Sequence, residues 1–174
     1  MTGQQEPEFL TREIVDAIHE VQIDTFGGLH GVRDENALES AIAAARNVYH
    51  YGGGDLYEVA AAYAYHLAES QAYFDGNKRT GVQASLVFLE GCGIEASRLP
   101  EQQTYDLMIK IAVHEAGRSD FADYLRSELG RERTSDWREL LKDEEALRRA
   151  EQRRQEQQER GNGGPVKGEG GRKP

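Results

Sequence analysis

The sequence predicts an all-α fold, and two observations lead to that class. Apolar residues recur at the i, i+3, i+4 spacing of an amphipathic helix in several separate segments, each bounded by residues that favour helix ends. An alternating apolar and polar pattern, which would indicate a β-strand, extends over no more than three or four residues. We therefore expect a bundle of helices.

The first two helices are marked by capping residues and by apolar periodicity. Thr11 is a candidate N-cap for the first helix, and Gly27 and Gly28 predict its end. Its apolar face is predicted to be Ile14, Ala17, Ile18 and Val21. Asp34 is the candidate N-cap of the second helix. The apolar face of that helix repeats the spacing with Leu38, Ala41, Ile42 and Ala45. The glycines of YHYGGGD, residues 49–55, predict a loop after it.

Two further helices are expected to form the interior of the bundle. Residues 56–70 are rich in alanine, whose small side chain lets neighbouring helices approach closely. Residues 71–76 interrupt this pattern, and residues 77–90 then carry apolar side chains on most faces. A helix that is apolar nearly all round is usually surrounded by other elements, so we place 77–90 at the centre.

Two shorter helices complete the bundle. Pro100 suits the first position of a fifth helix. The spacing gives its buried face as Leu107, Met108, Ile111 and Ala112. Ser119 is a candidate N-cap for a sixth helix, which Gly130 would end. Its apolar residues are Phe121, Ala122 and Leu125.

The chain divides into parts that differ in charge and composition. Residues 1–130 contain 9 Lys+Arg and 21 Asp+Glu, a net charge of −12, whereas residues 131–174 contain 12 and 10, a net charge of +2. We therefore place one folded domain at residues 7–130. A charged helical extension with few apolar side chains is predicted at 131–160, and a Gly-rich, disordered tail at 161–174.

Composition also excludes several classes of protein. A net charge of −10 argues against a general nucleic-acid binder, which neutralises phosphates with Lys and Arg. The chain contains no run of 18 apolar residues, so no membrane span is expected, and its first residues lack the pattern of a signal peptide. A single cysteine, Cys92, excludes an intramolecular disulfide and a cysteine-rich zinc site. We expect a reduced, cytoplasmic protein.

One segment between the two interior helices, FDGNKRT, carries residues suited to phosphate chemistry. Gly76 stands where the second of these helices begins, and the first N–H groups of a helix favour phosphate or carboxylate. Lys78 and Arg79 add positive charge, and Arg can hold two phosphate oxygens in a fixed fork. Asn77 supplies an amide donor.

The acidic residue of this segment suggests a metal ion beside the phosphate. Asp75 is the kind of oxygen ligand that Mg²⁺ uses together with nucleotide phosphates. The segment is not a Walker loop, which needs the spacing G-x-x-x-x-G-K-[ST]. From spacing alone, a solvated turn at the start of a helix is an equally good interpretation, since D-G-N is common turn chemistry.

With these residues the chain resembles the Fic/Doc (Fido) family, and its death-on-curing (Doc) branch in particular. At the corresponding positions of the family signature H-x-F-x-[DE]-G-N-x-R, this chain reads QAYFDGNKR, residues 71–79. GVRDENALESAI, residues 31–42, resembles the G-x-R-D-x-x-x-L-E-S-A stretch of the Doc branch. YHYGGGDLYEVAAAYAY, residues 49–65, resembles the loop and helix that follow. The resemblance covers roughly residues 8–128 and is specific, because three separated segments match in order.

The resemblance implies a Fido-type helical bundle around the motif helix, and a transfer reaction. Members transfer AMP, or in the Doc branch a phosphate, from ATP or another nucleoside triphosphate to a hydroxyl of a target protein. The motif residues implied in catalysis are Gln71, Asp75, Asn77 and Arg79. Asp75 would hold Mg²⁺. The residues implied in gripping the phosphates are Gly76, Asn77, Lys78, Arg79 and Thr80.

The resemblance also implies two protein partners. A short β-hairpin flap beside the site would hold the target protein, and the candidate residues for that flap are Tyr49, His50 and Tyr51. The chain lacks a segment of the form [ST]-x-x-x-E-[GN], which inhibits some members from within. Inhibition would therefore come from a separate, Phd-like antitoxin chain.

The chain departs from the family pattern at three positions. Gln71 stands where the family has a His as general base, and a Gln amide cannot take up a proton near neutral pH. The loss of a positioned base typically lowers the rate by roughly 10²–10⁴. Tyr73 in place of Phe is a mild change. Val82 replaces a second Arg of AMP-transferring members, and because the Doc branch also lacks that Arg, phosphate transfer is favoured.

Another histidine could take the place of the missing base. His50, in the candidate flap, is the best substitute, and His66 and His30 are further candidates. For each, a surface or packed histidine is the more common interpretation. His19 and His114 are expected to be helix-face residues.

Three functions therefore remain open. The first is a Doc-like toxin whose transferase activity is weakened by Gln71. The second is a catalytically silent, nucleotide-binding pseudo-enzyme that acts as a protein-interaction module. In the third, the charged tail interacts with a partner and the domain is its scaffold.

Overall fold

The computed structural model describes residues 6–130, which form six helices and no sheet. The helices are α1 (Arg12–Phe26), α2 (Glu35–Gly52), α3 (Leu56–Ser70), α4 (Asn77–Gly91), α5 (Glu101–Ala112) and α6 (Arg118–Leu129). The predicted all-α class and the order of the six helices are confirmed. The extension predicted at 131–160 and the tail at 161–174 lie outside the described residues. Within the described part, no helix combines the length and apolar character needed to cross a membrane.

Side-chain caps set the starts of the first two helices as predicted. The Thr11 hydroxyl accepts a hydrogen bond from the Ile14 N–H at 3.4 Å, and the Asp34 carboxylate accepts one from the Ala37 N–H at 2.9 Å. Gly27 ends α1 in a positive-φ conformation (φ 80°), as its position after the helix predicted.

The sixth helix begins earlier than the sequence suggested. Ser119 was the candidate N-cap, but the helix starts at Arg118 and Gly117 occupies the cap position. The reason is the Asp120 carboxylate, which turns back to accept a hydrogen bond from the Gly117 N–H at 2.7 Å. That contact satisfies a free donor at the helix start, so the helix extends to it.

Helix α3 forms the centre of the bundle, with α4 packed closely against it. The fully buried residues of α3 are Val59, Ala60, Ala61, Ala62, Tyr63 and Ala64. Gly81 of α4 lies so near α3 that a Cβ added to it would be 2.6 Å from the Ala64 carbonyl oxygen. This close approach confirms the interior position predicted for 56–70. Helix α4 is buried on one side and half-buried at Val82, so it is less enclosed than its all-round apolar pattern suggested.

The apolar face predicted for α1 is not the buried one. The side chain of Ile14 is 39% exposed and that of Val21 is 59% exposed, whereas the buried residues are Val15, His19 and Ile23. The helix is rotated from the predicted orientation because a partly polar stripe of α1 finds hydrogen-bond partners in the interior, as described below.

The loop predicted at residues 49–55 is also wrong in part, because α2 continues through Gly52. The glycines end the helix: Gly53 adopts the left-handed conformation (φ 62°), and the Gly54 N–H donates to the Val48 carbonyl at 3.1 Å. The candidate flap residues Tyr49, His50 and Tyr51 therefore lie in the last turns of a helix and form no β-hairpin. The one β pairing among residues 6–130 is an isolated antiparallel bridge between Val32 and Tyr73.

Candidate active site

The motif segment forms a short loop between α3 and α4, with a left-handed residue at each end. Gln71 is the C-cap of α3, at φ 50°, and Gly76 is the N-cap of α4, at φ 76°. The Gly76 position requires glycine for a second reason, because a Cβ there would lie 2.9 Å from Cδ1 of Ile23 in α1. The loop is therefore wedged against α1, and its two ends turn the chain sharply into the motif helix.

The side chain of Asn77 closes this loop. Its Oδ1 accepts a hydrogen bond from the Tyr73 N–H, and its Nδ2 donates to the Tyr73 carbonyl, both at 2.9 Å. Asn77 is only 7% exposed. Because both ends of its amide are already engaged by the loop backbone, Asn77 holds the loop in shape and is not free to offer its side-chain amide to a phosphate.

The start of α4 offers unsatisfied backbone donors. Its first intrahelical hydrogen bond runs from the Thr80 N–H to the Gly76 carbonyl at 2.9 Å. The N–H groups of residues 77–79 precede that bond, no side chain caps the helix, and its first turn contains no acidic residue. An uncapped helix start with a positive dipole is suited to binding an anion.

Two opposite charges lie beside this helix start. The Asp75 side chain is 53% exposed, and its Oδ1 lies 4.0 Å from Nη2 of Arg79. The Arg79 guanidinium also donates to the carbonyls of Gln22 (3.4 Å) and Gly27 (2.9 Å) and lies over the Phe26 ring. The end of α1 thus keeps a cation next to the acidic residue.

Two other predicted phosphate-binding residues differ in their placement. Lys78 is exposed. Thr80 has no exposed surface, and its hydroxyl is buried without a hydrogen-bond partner among the described residues. The helical turn that places Lys78 outside directs Thr80 into the core, so the predicted contact of Thr80 with a phosphate would require its hydroxyl to become accessible.

Gln71 lies at the surface, at the end of α3. Its Nε2 donates to the Ala68 carbonyl at 3.1 Å, and its own carbonyl accepts a hydrogen bond from the Arg33 guanidinium. The Gln71 side-chain oxygen is left as a hydrogen-bond acceptor. Such a group can orient a hydroxyl, but it cannot remove the proton.

A stripe of α1 holds the motif loop from the other side. Asp16, His19 and Ile23 lie at i, i+3 and i+7, and all three contact the loop. The Tyr73 hydroxyl donates to Oδ1 of Asp16 at 2.7 Å, and Arg12 donates to the other carboxylate oxygen at 2.7 Å. Burial, followed by the contact with Asp16, raises the pKa of the Tyr73 hydroxyl well above its usual range.

His19 is the histidine that the sequence interpretation missed. It is 2% exposed, and its Nε2 lies 3.0 Å from the Asp75 carbonyl oxygen. Burial lowers its pKa, so the ring is neutral at pH 7 and Nε2 carries the proton that the carbonyl accepts. The i, i+3, i+7 spacing of Asp16, His19 and Ile23 is the signal that could have indicated this stripe.

The other histidines contact different parts of the domain. His50 lies 3.2 Å from a Glu6 carboxylate oxygen, and His30 lies 3.1 Å from one of Asp24. His66 is half-buried, and burial lowers its pKa. Among the histidines of residues 6–130, His19 is the one with a hydrogen bond to the motif segment.

Comparison with known proteins identifies the family. The Fic/DOC family model matches residues 9–89. The chain is 33% identical to "Protein kinase doc" of Escherichia phage P1 over 118 residues. These residues cover 67% of this chain and 92% of that protein. It is 34% identical to "Toxin Doc" of Mycolicibacterium smegmatis over 113 residues, and the alignment covers 62% of this chain and 83% of that protein. The chain therefore belongs to the Fic/DOC family, and within it to the Doc branch.

Proposed function

We propose that this protein is a Doc-like toxin of a toxin–antitoxin system, which transfers a phosphate or AMP from a nucleoside triphosphate such as ATP to a hydroxyl of a target protein. One observation carries the proposal: the uncapped start of α4 lies between an exposed carboxylate, Asp75, and a guanidinium, Arg79. Free backbone donors, a cation and a carboxylate are the groups that hold a metal-bound nucleotide.

The phosphates would be bound by backbone and cationic groups together. The N–H groups of residues 77–79 point out of the helix start, and Lys78 is exposed beside them. Arg79 has five N–H donors, so it can bind a phosphate while keeping a contact to the end of α1. Asn77 would contribute through its backbone N–H, because its side chain holds the loop.

Asp75 is the residue that would hold Mg²⁺. Its carboxylate is half-exposed, and Mg²⁺ is commonly bound by one or two carboxylates and completed by substrate phosphates and water. Among the described residues there is no cluster of three or more metal-binding side chains, so the phosphates would supply the remaining ligands. When bound, the ion would neutralise charge on the transferring phosphate.

Gln71 would orient the target hydroxyl but leave its proton in place. The transfer should therefore be slow relative to a form with His at this position, by roughly 10²–10⁴. The same residue favours the second candidate function, a silent pseudo-enzyme that binds nucleotide and a protein partner without transfer. The two functions differ in turnover but not in nucleotide affinity, because the phosphate contacts come from residues 75–79.

The exposed apolar face of α1 is the surface that we assign to the antitoxin. Ile14, Ala17 and Val21 form a stripe at helical spacing that remains exposed within residues 6–130. Glu13 and Glu20 are exposed along one edge of this stripe. An amphipathic helix with basic residues would complement both the apolar stripe and the acidic edge, and its association would weaken with salt.

Binding of a Phd-like antitoxin chain tests this surface. Val21→Glu should weaken its binding at least tenfold, whereas Tyr105→Glu, a matched change at an exposed residue of α5, should not. Equal effects of the two variants would contradict this surface. Affinity that does not change between low and high salt would contradict the electrostatic contribution.

Titration calorimetry with Mg²⁺ and ATP tests the nucleotide site. Arg79→Ala should weaken binding at least tenfold, because it removes the cation beside the helix start. Arg126→Ala is the matched control, because Arg126 pairs with Asp55 at the opposite end of α3, and it should bind like the wild type. Equal affinities of the three proteins, or no binding by the wild type at millimolar ATP, would contradict the proposal.

A further inference from the structure

The peptide unit that joins Asp75 to Gly76 is fixed at both ends by hydrogen bonds. Its carbonyl accepts from Nε2 of His19 at 3.0 Å, and its N–H donates to Oδ1 of Asp75 at 2.7 Å. A trans peptide is planar, and its C=O and N–H point in opposite directions. When His19 holds the carbonyl against α1, the N–H is directed to the other side, where it binds the Asp75 carboxylate.

His19 is itself held in one orientation. Its ring lies flat on the ring of Tyr73, with centroids 3.8 Å apart and planes 5° apart. The Tyr73 hydroxyl is bound in turn by Asp16, one turn before His19 on the same helix. A Cβ added to Gly76 would lie 3.7 Å from Cδ2 of His19, so the imidazole also lies against the residue that starts α4. The His19 ring, which carries the Nε2 donor, is therefore held in one orientation and lies at van der Waals distance from Gly76.

We propose that His19 is a positioning residue of the nucleotide site: it sets the orientation of the Asp75–Gly76 peptide and, through it, the direction of the Asp75 carboxylate and of the first N–H groups of α4. Rotation of this peptide would break both of its hydrogen bonds and turn the metal-binding carboxylate away from the helix start. The role in ligand binding rests on the proposed function, whereas the control of loop geometry does not.

Two kinds of variant separate hydrogen bonding from space filling. His19→Gln carries an N–H donor at the position of Nε2 but lacks the ring. His19→Phe keeps a ring against Tyr73 but cannot donate, so the part-buried Asp75 carbonyl loses its partner. His19→Met is a second variant without a donor, to be used where the Phe ring does not fit. A residue that only fills space would tolerate Phe or Met better than Gln.

The experiment compares these variants with the wild type by amide hydrogen exchange and by titration with Mg²⁺ and ATP. In His19→Phe or His19→Met, the amides of Tyr73, Gly76 and Thr80, which are hydrogen-bonded in the motif loop, should exchange at least tenfold faster than in the wild type. The Kd for Mg²⁺–ATP should rise about tenfold. Both quantities should lie within about threefold of wild type in His19→Gln. Amides in the middle of α3 serve as an internal reference for overall stability.

Two outcomes would overturn the positioning role. The first is wild-type exchange and affinity in the variants without a donor. The second is a loss in His19→Gln equal to or greater than that in the other variants, since this would show that packing is what matters. If the wild type binds no Mg²⁺–ATP, the proposed function fails, but the exchange rates of the Tyr73, Gly76 and Thr80 amides still decide whether His19 controls the loop.

Discussion

The side chain of Asn77 and the backbone of Tyr73 exchange two hydrogen bonds, each 2.9 Å long. This reciprocal pair spans the turn that leads into α4 and sets the conformation of the motif loop. The sequence motif suggests Asn77 as a phosphate ligand, but its side chain stabilises the loop instead. The same loop leaves the backbone donors at the start of α4 free, which is the feature the proposed function needs.

Asn77→Ala should lower the free energy of unfolding by about 2–4 kcal/mol, because it leaves the buried N–H and carbonyl of Tyr73 without partners. Urea denaturation measures this directly. Lys78→Ala, at the exposed neighbouring position, should change the free energy of unfolding by no more than about 0.5 kcal/mol. Similar small losses in the two variants would show that the reciprocal pair contributes little.

Gly81→Ala should destabilise the contact between α3 and α4. The added Cβ would lie 2.6 Å from the Ala64 carbonyl oxygen, and backbone atoms in a packed interface cannot move away easily. We expect a loss of about 1–3 kcal/mol in the free energy of unfolding. Gly91→Ala at the end of the same helix meets no atom within 4 Å and should be neutral or stabilising by up to about 1 kcal/mol. A stable Gly81→Ala protein would mean that the helices are less closely packed.

Thr80→Val should raise the free energy of unfolding by about 1 kcal/mol and leave nucleotide binding unchanged, because the buried Thr80 hydroxyl has no partner in the described part of the chain. Thr104→Val is the matched control. The Thr104 hydroxyl lies 2.8 Å from the Pro100 carbonyl and 2.8 Å from the Tyr124 hydroxyl, so its removal should cost about 1–2 kcal/mol. Weaker ATP binding by Thr80→Val would indicate that the Thr80 hydroxyl does contact the phosphates.

The domain should lose stability as the pH falls through about 6.5. Burial lowers the pKa of His19 and His66 in the folded state below the ordinary value of 6.5. In that window the unfolded chain binds more protons, so the free energy of unfolding decreases with decreasing pH. Denaturation at pH 7.5, 6.5 and 5.5 should show a smaller decrease in His66→Gln than in the wild type. Asn36→Gln, at an exposed position of α2, changes no titratable group and should keep the wild-type slope, and equal slopes in all three proteins would contradict the assignment.

Helix order and most helix ends could be predicted from the sequence because they depend on local chemistry. Thr11 and Asp34 each accept a hydrogen bond from an N–H three residues later, a contact that sequence spacing alone specifies. The glycines after α2 were harder to interpret. A run of glycines is typical both of a loop and of a helix C-terminus, and here the helix continues to Gly52.

The orientation of α1 could not be predicted, because it depends on partners distant in sequence. The Asn77 side chain has a partner only four residues away, the Tyr73 backbone, but that contact depends on the loop conformation, which the sequence pattern does not specify. The helical periodicity of apolar residues predicted that the stripe with Ile14 and Val21 is buried, but this stripe is exposed. The buried stripe contains Asp16 and His19, which make hydrogen bonds with the motif loop more than 50 residues away.

The transfer reaction is tested most directly by comparing wild type with Gln71→His in a cell extract supplied with Mg²⁺ and ATP. The ATP carries label in either its α- or its γ-phosphate, so that transfer of AMP and of phosphate are distinguished. We expect protein labelling that is lost in Arg79→Ala and that is faster in Gln71→His by roughly 10²–10⁴, while the affinity for Mg²⁺–ATP stays unchanged. Labelling by Gln71→His that is no faster than wild type, or absent from both, would contradict the assignment of position 71 and the transferase function that rests on it.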